Sequence, residues 1–264
     1  MAALAIAASG CGIISIGQTV QGRDITIQSF GSGDRVVLLI GGLHTGPEDN
    51  TRLLAEQVAA YLRDHPEAVP DDLTVVVLPS ANPDGTANGT HTNANGVDLN
   101  RNWPSADWVP DACHPTTGCR VQLGGPHSLS EPETIALYNL VQELRPEITI
   151  VWHAEAPLVE ANEVDGADVY ARAYAAAAGY EYVEEWEAYD ITGELIDGLE
   201  QGLRLRAFDV ELAECCTLSP EEFARNMNGV LALLAAVEQG LAEPHPTQVP
   251  KPTPTPFELD LDGL

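Results

Sequence analysis

Apolar positions along the chain fall into two rhythms. Arg35 to Ile40, Leu73 to Leu78, Ile148 to Trp152 and Ala207 to Leu212 are short, nearly continuous apolar runs. Runs of this length, rich in Val, Ile and Leu, suit strands buried on both faces. Between them lie stretches with a helical period: 48–63 with Leu53, Leu54, Val58, Tyr61 and Leu62, alanine-rich 166–178, 193–202, and 219–238. A further helix opens at Ser-Glu-Pro-Glu, with Ser130 as the expected cap, Pro132 in the first turn and Glu133 three residues after the cap. Ile13–Ile16 and Ile25–Ile27, punctuated by Gly17 and Gly22, read as a hairpin. Residues 80–129 form a long polar segment rich in Asn, Gly and Pro, and a loop of that length within a domain is usually functional. The alternation of strand and helix predicts an α/β fold: one domain over 13–240, with a mixed, mostly parallel twisted sheet and helices on both faces.

Composition narrows the partners. The 264 residues carry 40 acidic and 12 basic side chains, a net charge of −28, and Lys251 is the sole lysine. Such a field repels a phosphate backbone and an anionic membrane surface, so no nucleic-acid partner is expected. It suits a soluble protein and equally a salt-loving organism. Residues 241–264 hold six prolines and several acids, and are expected to be a disordered tail. At the other end, 1–12 is apolar but too short to span a bilayer. It reads as the remnant of a secretion signal, with Ala-Ser-Gly before Cys11 loosely resembling a lipoprotein acylation box, or as a start without meaning. A lipid on Cys11 would be the one expected link to a membrane. Cys113 and Cys119 flank a turn that a disulfide can close, the alternative being two free thiols. A disulfide and a signal together point outside the cytoplasm, to a secreted or lipid-anchored protein.

Candidate chemistry gathers where the buried strands end. In open α/β sheets, ligands bind beyond the carboxyl ends of strands. The first buried strand leads to His44, with Glu48 four residues on, the third to His153, and the fourth to Glu211. Two histidines and a carboxylate form a catalytic zinc set that leaves one coordination position open. Singly, each histidine is a common hydrogen-bonded loop residue, and Glu48 alone favours a helix N-terminus. Their shared position at the ends of one sheet's strands is what points to a metal.

Four segments resemble the zinc carboxypeptidase family, the carboxypeptidase A-like metallopeptidases. They are Gly-Gly-Leu-His-Thr-Gly-Pro-Glu (41–48), Asn-Pro-Asp-Gly (82–85) leading to Asn-Gly-Val-Asp-Leu-Asn-Arg-Asn-Trp (95–103), Trp-His (152–153), and Tyr189 to Glu211. The resemblance spans about residues 18 to 238. It implies one zinc per chain on His44, Glu48 and His153. It further implies Asn100 and Arg101 as the pair holding the substrate's terminal carboxylate, a task suited to the fork of an arginine. Tyr189 falls at the family's mobile tyrosine, Ile196 where members line the specificity pocket, and Glu211 at the general base. An apolar Ile196 hints at an apolar leaving residue, whereas Asp197 in its place would favour a basic one. Two positions depart from the pattern. Three residues, not two, separate His44 from Glu48, with Asp49 as the nearby substitute ligand. His91 stands where many bacterial relatives carry an arginine that steadies the developing oxyanion; a neutral histidine donates a hydrogen bond there without a full charge. Glu214 is also close to Glu211, but strand alternation sets 209, 211 and 213 on one face, so Glu211 is the expected base. Glu155 follows His153 by two residues and reads as a neighbour of the site or a solvated loop residue.

The function implied is a zinc-dependent carboxypeptidase, a monomer acting on peptides with a free C-terminus. One alternative is a murein peptidase of the same fold, cutting between D-glutamate and diaminopimelate. The other is a peptide-binding relative without activity, for which His91 is the only support.

Overall fold

The computed structural model describes residues 12–114, 118–185 and 189–242. The apolar leader with Cys11 and the proline-rich tail from 243 onward lie outside the described residues. An eight-stranded sheet forms the centre, built from β1 (Ile13–Gln18), β2 (Asp24–Gly31), β3 (Arg35–Ile40), β4 (Leu73–Leu78), β7 (Ile148–Ala154), β8 (Leu158–Ala161), β9 (Glu181–Val183) and β10 (Ala207–Leu212). Its order is β1-β2-β4-β3-β7-β10-β8-β9. The centre, β4-β3-β7-β10, is parallel; β2 and β8 join it antiparallel, β1 pairs antiparallel with β2, and β9 pairs parallel with β8. This is a single α/β domain whose sheet is mixed and mostly parallel.

The strand period of two sorts each strand onto two cores. Val37, Leu39, Val75, Val77, Ile150, Trp152, Phe208, Val210 and Leu212 pack beneath α1 (Asp49–Asp64), α4 (Ala167–Ala178) and α6 (Pro220–Glu238). Leu38, Ile40, Val76, Leu78, Val151 and Ala207 face α3 (Pro132–Leu144) and α5 (Leu195–Leu203). The same alternation carries His153, Asp209 and Glu211 onto the α5 face, two and four residues beyond Val151 and Ala207. Burial of each large aliphatic side chain contributes about 1.5–3 kcal/mol, so the parallel centre is the rigid part on which the site is mounted.

Several local features differ from the sequence reading. The long polar segment contains α2 (Pro83–Asn88), a 3-10 turn at Leu99–Arg101, and the two-residue strands β5 (Cys113–His114) and β6 (Gly118–Cys119), whose cysteines form a disulfide. Strands β8 and β9 are short and only partly buried, so no apolar run announced them. Ser130 does not cap α3: the residue before the helix is Glu131, and the Ser130 hydroxyl is engaged by Asn102 Nδ2 at 2.9 Å and by Glu131. The Asn-Pro-Asp-Gly motif is structural here. Asn82 caps α2 by accepting from Gly85 N at 2.9 Å. Asp84, fully buried, accepts from the Thr19 hydroxyl, Gln21 N and Arg23, and so ties the hairpin of β1 and β2 to the loops above the sheet.

Candidate active site

Strand β3 ends at Ile40, and the chain turns through Gly41 and Gly42 to His44. The i, i+4 spacing from His44 to Glu48 does not lie on an α-helix. A 3-10 turn at Gly46–Glu48 intervenes, and Glu48 is the residue that precedes α1. Gly46 has φ +68, which an L-residue adopts only under strain, and a Cβ there would sit 3.1 Å from Gly89 O. The extra residue between His44 and Glu48 is thus absorbed in a turn that brings the two side chains back together.

The three expected ligands converge. His44 Nδ1 lies 3.2 Å from His153 Nδ1 and 3.3 Å from Glu48 Oε2, and His153 Nδ1 lies 3.8 Å from the same Oε2. A tetrahedral zinc ion with arms of about 2.0–2.1 Å has ligand-to-ligand edges of about 3.3–3.4 Å. Two imidazole nitrogens and one carboxylate oxygen therefore stand at the corners that one such ion requires, and this donor set fits zinc. The remaining nitrogen of His44, Nε2, is 2.9 Å from Asp98 Oδ1, which is itself buried and also accepts from Asn100 N at 2.9 Å. A carboxylate behind a ligating histidine fixes its ring and tautomer.

Electrostatics follow from this crowding. Burial opposes charge on His44, but the Asp98 and Glu48 carboxylates outweigh it and push the imidazole up to about 10. Burial likewise opposes charge on Glu48 and Asp98, yet His44 holds both below the usual carboxylate range. His153 is shifted down, chiefly by burial. Without a metal, the carboxylates favour the charged form of His44 and burial favours the neutral form of His153; a zinc ion held by the two imidazoles and Glu48 would take the place of the proton on His44.

The other expected residues surround this set. Glu211 pairs in register with His153 across the parallel β7–β10 ladder. Its carboxyl is pushed up to about 8, first by burial and then by the Glu48 charge. His91 Nε2 is 3.6 Å from Glu48 Oε1, and its ring centroid is 3.8 Å from that of His44. His44, His91 and Asp98 also gather closely enough to be a second donor set, but it shares His44 with the first. Asp49 instead pairs with Arg52 through both its oxygens, so Glu48 is the carboxylate at the histidines.

Asn100 and Arg101 sit on the 3-10 turn after Asp98. Asn100 is tied to the start of α5, accepting from Leu195 N at 2.9 Å and donating to Glu194 Oε1 at 3.1 Å. Arg101 is almost wholly buried; its Nη1 donates to Asn100 O at 2.9 Å and its guanidinium hydrogen-bonds Tyr189. Gly193, at φ +69, lets the chain pass close by, since a Cβ there would be 2.4 Å from Arg101 O. Ile196 is buried in the apolar layer beneath α5, with its carbonyl accepting from Asn162 Nδ2 at 3.2 Å. Glu214 points away, accepting from the Ser219 hydroxyl at 3.0 Å at the start of α6. Cys215 and Cys216 are free, and the Cys216 amide donates to Pro47 O at 2.8 Å beside Glu48.

Three neighbours escaped the sequence reading: Asp98, Glu194 and Asp209. Glu194 and Asp209 are buried and hydrogen-bonded to each other. Burial pushes Glu194 up to about 7 and Asp209 well above its ordinary value. A signal existed for Asp209, which precedes Glu211 by two residues and so shares its face.

Comparison with known proteins agrees with this geometry. The family model described as "Zinc carboxypeptidase" matches residues 1–161. "Murein peptide amidase A" of Escherichia coli (strain K12) is 37% identical over 90 residues, which cover 32% of this chain and 37% of that protein. "Metallocarboxypeptidase A-like protein" of Trichophyton verrucosum is 29% identical over 171 residues, 55% of this chain and 40% of that one. These matches thus take in little more than a third of each relative's length. Among solved structures, bovine thrombin-activatable fibrinolysis inhibitor aligns with a TM-score of 0.72 at 16% identity, covering 87% of this chain and 90% of that one. Murein-tripeptide amidase from Escherichia coli O157 aligns with a TM-score of 0.62 at 23% identity, covering 86% and 92%. At these identities the structural likeness shows the shared fold.

Proposed function

We propose, on the premise that this chain belongs to the zinc carboxypeptidase family, that it is a zinc-dependent carboxypeptidase removing C-terminal residues from peptides. The observation that carries this reading is the convergence of His44 Nδ1, His153 Nδ1 and Glu48 Oε2 at 3.2, 3.3 and 3.8 Å, next to a half-buried acid, Glu211, on the adjoining strand. Zinc bound to these three residues would supply Lewis acidity to a water molecule and to the scissile carbonyl.

The remaining work belongs to the chain's own groups. Glu211 lies on the strand beside His153, and its carboxylate would accept a proton from the attacking water and pass one to the leaving amine. Its raised pKa makes it a readier proton acceptor than an ordinary glutamate, and an adjacent cation would lower that value toward neutrality. Arg101 would take the substrate's terminal carboxylate in place of its contact with Tyr189, and Asn100 would hold the arginine's turn against α5. His91, beside Glu48, would donate a hydrogen bond to the oxygen that becomes negative in the transition state. The Cys113–Cys119 disulfide supports a location outside the cytoplasm.

A second reading is favoured by the match to murein peptide amidases: the same machinery acting on a D-glutamyl–diaminopimelate bond. Metal analysis and turnover separate the readings. One zinc per chain, with cleavage of free but not C-terminally amidated peptides, supports the carboxypeptidase. Turnover confined to murein tripeptide supports the second. Equal cleavage of amidated peptides removes exopeptidase action, and a zinc-loaded protein that turns over neither substrate is a binding relative.

A further inference from the structure

We propose that Cys215 and Cys216 are a reversible redox pair, and that closing a disulfide between them loosens the turn that presents Glu48 to the metal. The proposal rests on the zinc reading only for where the effect is felt.

The pair follows β10, which ends at Leu212. Cys216 is exposed and Cys215 half-buried, and both thiols are free. Successive side chains on a strand point to opposite faces, so neighbouring cysteines do not ordinarily meet. Here the chain leaves the extended form: Cys216 has φ +70, a left-handed backbone that a residue with a Cβ adopts only under strain. The two Sγ atoms lie 2.8 Å apart, in a thiol–thiol contact. The backbone at the pair is fastened beside the metal set. Cys216 N donates to Pro47 O at 2.8 Å, and Asn50, fully buried in the first turn of α1, donates through Nδ2 to Glu214 O at 2.5 Å. The Cys215 thiol hydrogen-bonds Glu155, two residues beyond His153, and the amide of Ala154 between them donates to Glu48 Oε2 at 3.2 Å. The loops after β3, β7 and β10 thus meet at the dithiol, and a shift of 214–216 pulls on Pro47 and Asn50, which flank Glu48.

The co-reactant is a small disulfide, RSSR. The Cys216 thiolate attacks one of its sulfurs, forming a mixed disulfide and releasing one RS⁻. Cys215 then loses its proton and attacks Cys216 Sγ, expelling the second RS⁻. Two thiols are oxidised by two electrons, one RSSR is reduced to two RSH, and the two cysteine protons pass to the leaving thiolates. Cys215 is held protonated, first by its contact with Cys216 and then by Glu155, so the exposed Cys216 meets the oxidant first. Once Cys216 is capped, the larger of those two causes is gone. Closing the ring draws the sulfurs from 2.8 Å to about 2.0 Å. Adjacent Cα atoms are about 3.8 Å apart, below the usual disulfide span of about 4.4 Å and more. The chain must therefore shift to close the ring, and a strained, exposed disulfide is one that thiols readily reopen.

The test equilibrates the metal-free full chain in glutathione buffers from reducing to oxidising. Alkylation and mass spectrometry read the peptide holding both cysteines, which takes two labels when the pair is open and none when it is closed. Competition with a chromophoric chelator reads zinc affinity, and hydrogen–deuterium exchange reads the backbone over 44–52. The expected result in oxidising buffer is a closed pair, a zinc affinity lower by about tenfold or more, and faster exchange over 44–52, all reversed in reducing buffer. Cys215→Ser with Cys216→Ser is expected to show one affinity throughout. A pair that stays open overturns the proposal, as does a stable glutathione adduct or a linked dimer in place of the ring. A closed ring with unchanged zinc affinity overturns it too. A response that persists in the double variant belongs to Cys113–Cys119 and equally overturns it. If neither state takes up zinc, the zinc reading fails separately and exchange over 44–52 decides: faster exchange on closure supports the switch, and equal exchange overturns it.

Discussion

Replacing Asp98 by asparagine removes one charge and little else. The residue is 1% exposed, and its Oδ1 accepts from His44 Nε2 and from Asn100 N, each at 2.9 Å. An amide oxygen can accept both bonds, so the turn carrying Asn100 and Arg101 stays in place. What changes is the basicity of His44. Outer carboxylates of this kind are worth about 10–100-fold in metal affinity, or about 1.4–2.8 kcal/mol. A second effect runs the other way. With Asp98 present, His44 is pushed up to about 10, so zinc binding at pH 7.5 must expel a proton at a cost of about 3 kcal/mol. The variant's imidazole holds that proton less tightly and is relieved of part of the cost. The deficit in zinc affinity is therefore expected to be fullest near pH 8.5 and to shrink toward pH 6.5. Competition with a chromophoric chelator across that range measures it, with far-ultraviolet circular dichroism to establish folding. Equal affinities at pH 8.5, or a deficit that widens on acidification, would refute the assignment of Asp98 as the group that tunes His44.

Other consequences of the same geometry can be checked independently. Glu211→Gln is expected to keep its zinc and lose about 10²–10⁴ in kcat, because base and ligand are separate residues; turnover within a few-fold of the parent would mean that another group takes the proton. Arg101→Ala should raise KM for peptides with a free C-terminus and erase their advantage over amidated ones, and a preserved advantage would place carboxylate recognition elsewhere. Glu211 and Glu194 are raised to about 8 and 7, so the fold favours their protonated forms, and that contribution is lost as pH rises from about 4.5 through those values. His44, raised to about 10, contributes fully below about pH 6.5 and loses it above, while the lowered Glu48 and Asp98 lose theirs only in stronger acid. The Tm of the metal-free protein should thus be highest near pH 5 and fall toward pH 9, with the gain on adding zinc growing in parallel; a metal-free Tm that climbs between pH 6 and 9 would contradict these shifts.

How much of this was legible in the chain depends on which force placed each residue. The four central strands could be read because burial on both faces leaves continuous apolar runs, and His44, His153 and Glu211 then stood at or just beyond three of their ends. Glu48 was named for its spacing, yet a helical face is not what presents it; a 3-10 turn around Gly46 does, and turn geometry of that kind leaves no periodic trace. Asp98 and Glu194 come from loops whose paths depend on tertiary bonds, such as Asp98 N to Leu123 O and Asn100 Oδ1 to Leu195 N, which pair residues far apart in sequence. The alternation that set Glu214 aside also put Asp209 on the face of Glu211, so its direction was available from the start. Its surroundings were not. A carboxylate two residues from a general base can be a solvated neighbour or part of a closed wall, and the difference lies in β8, a half-buried four-residue strand that sets Glu160 directly across from it. The surroundings of such a carboxylate are thus written in cross-strand register, which a single sequence does not reveal until the antiparallel partner has been found.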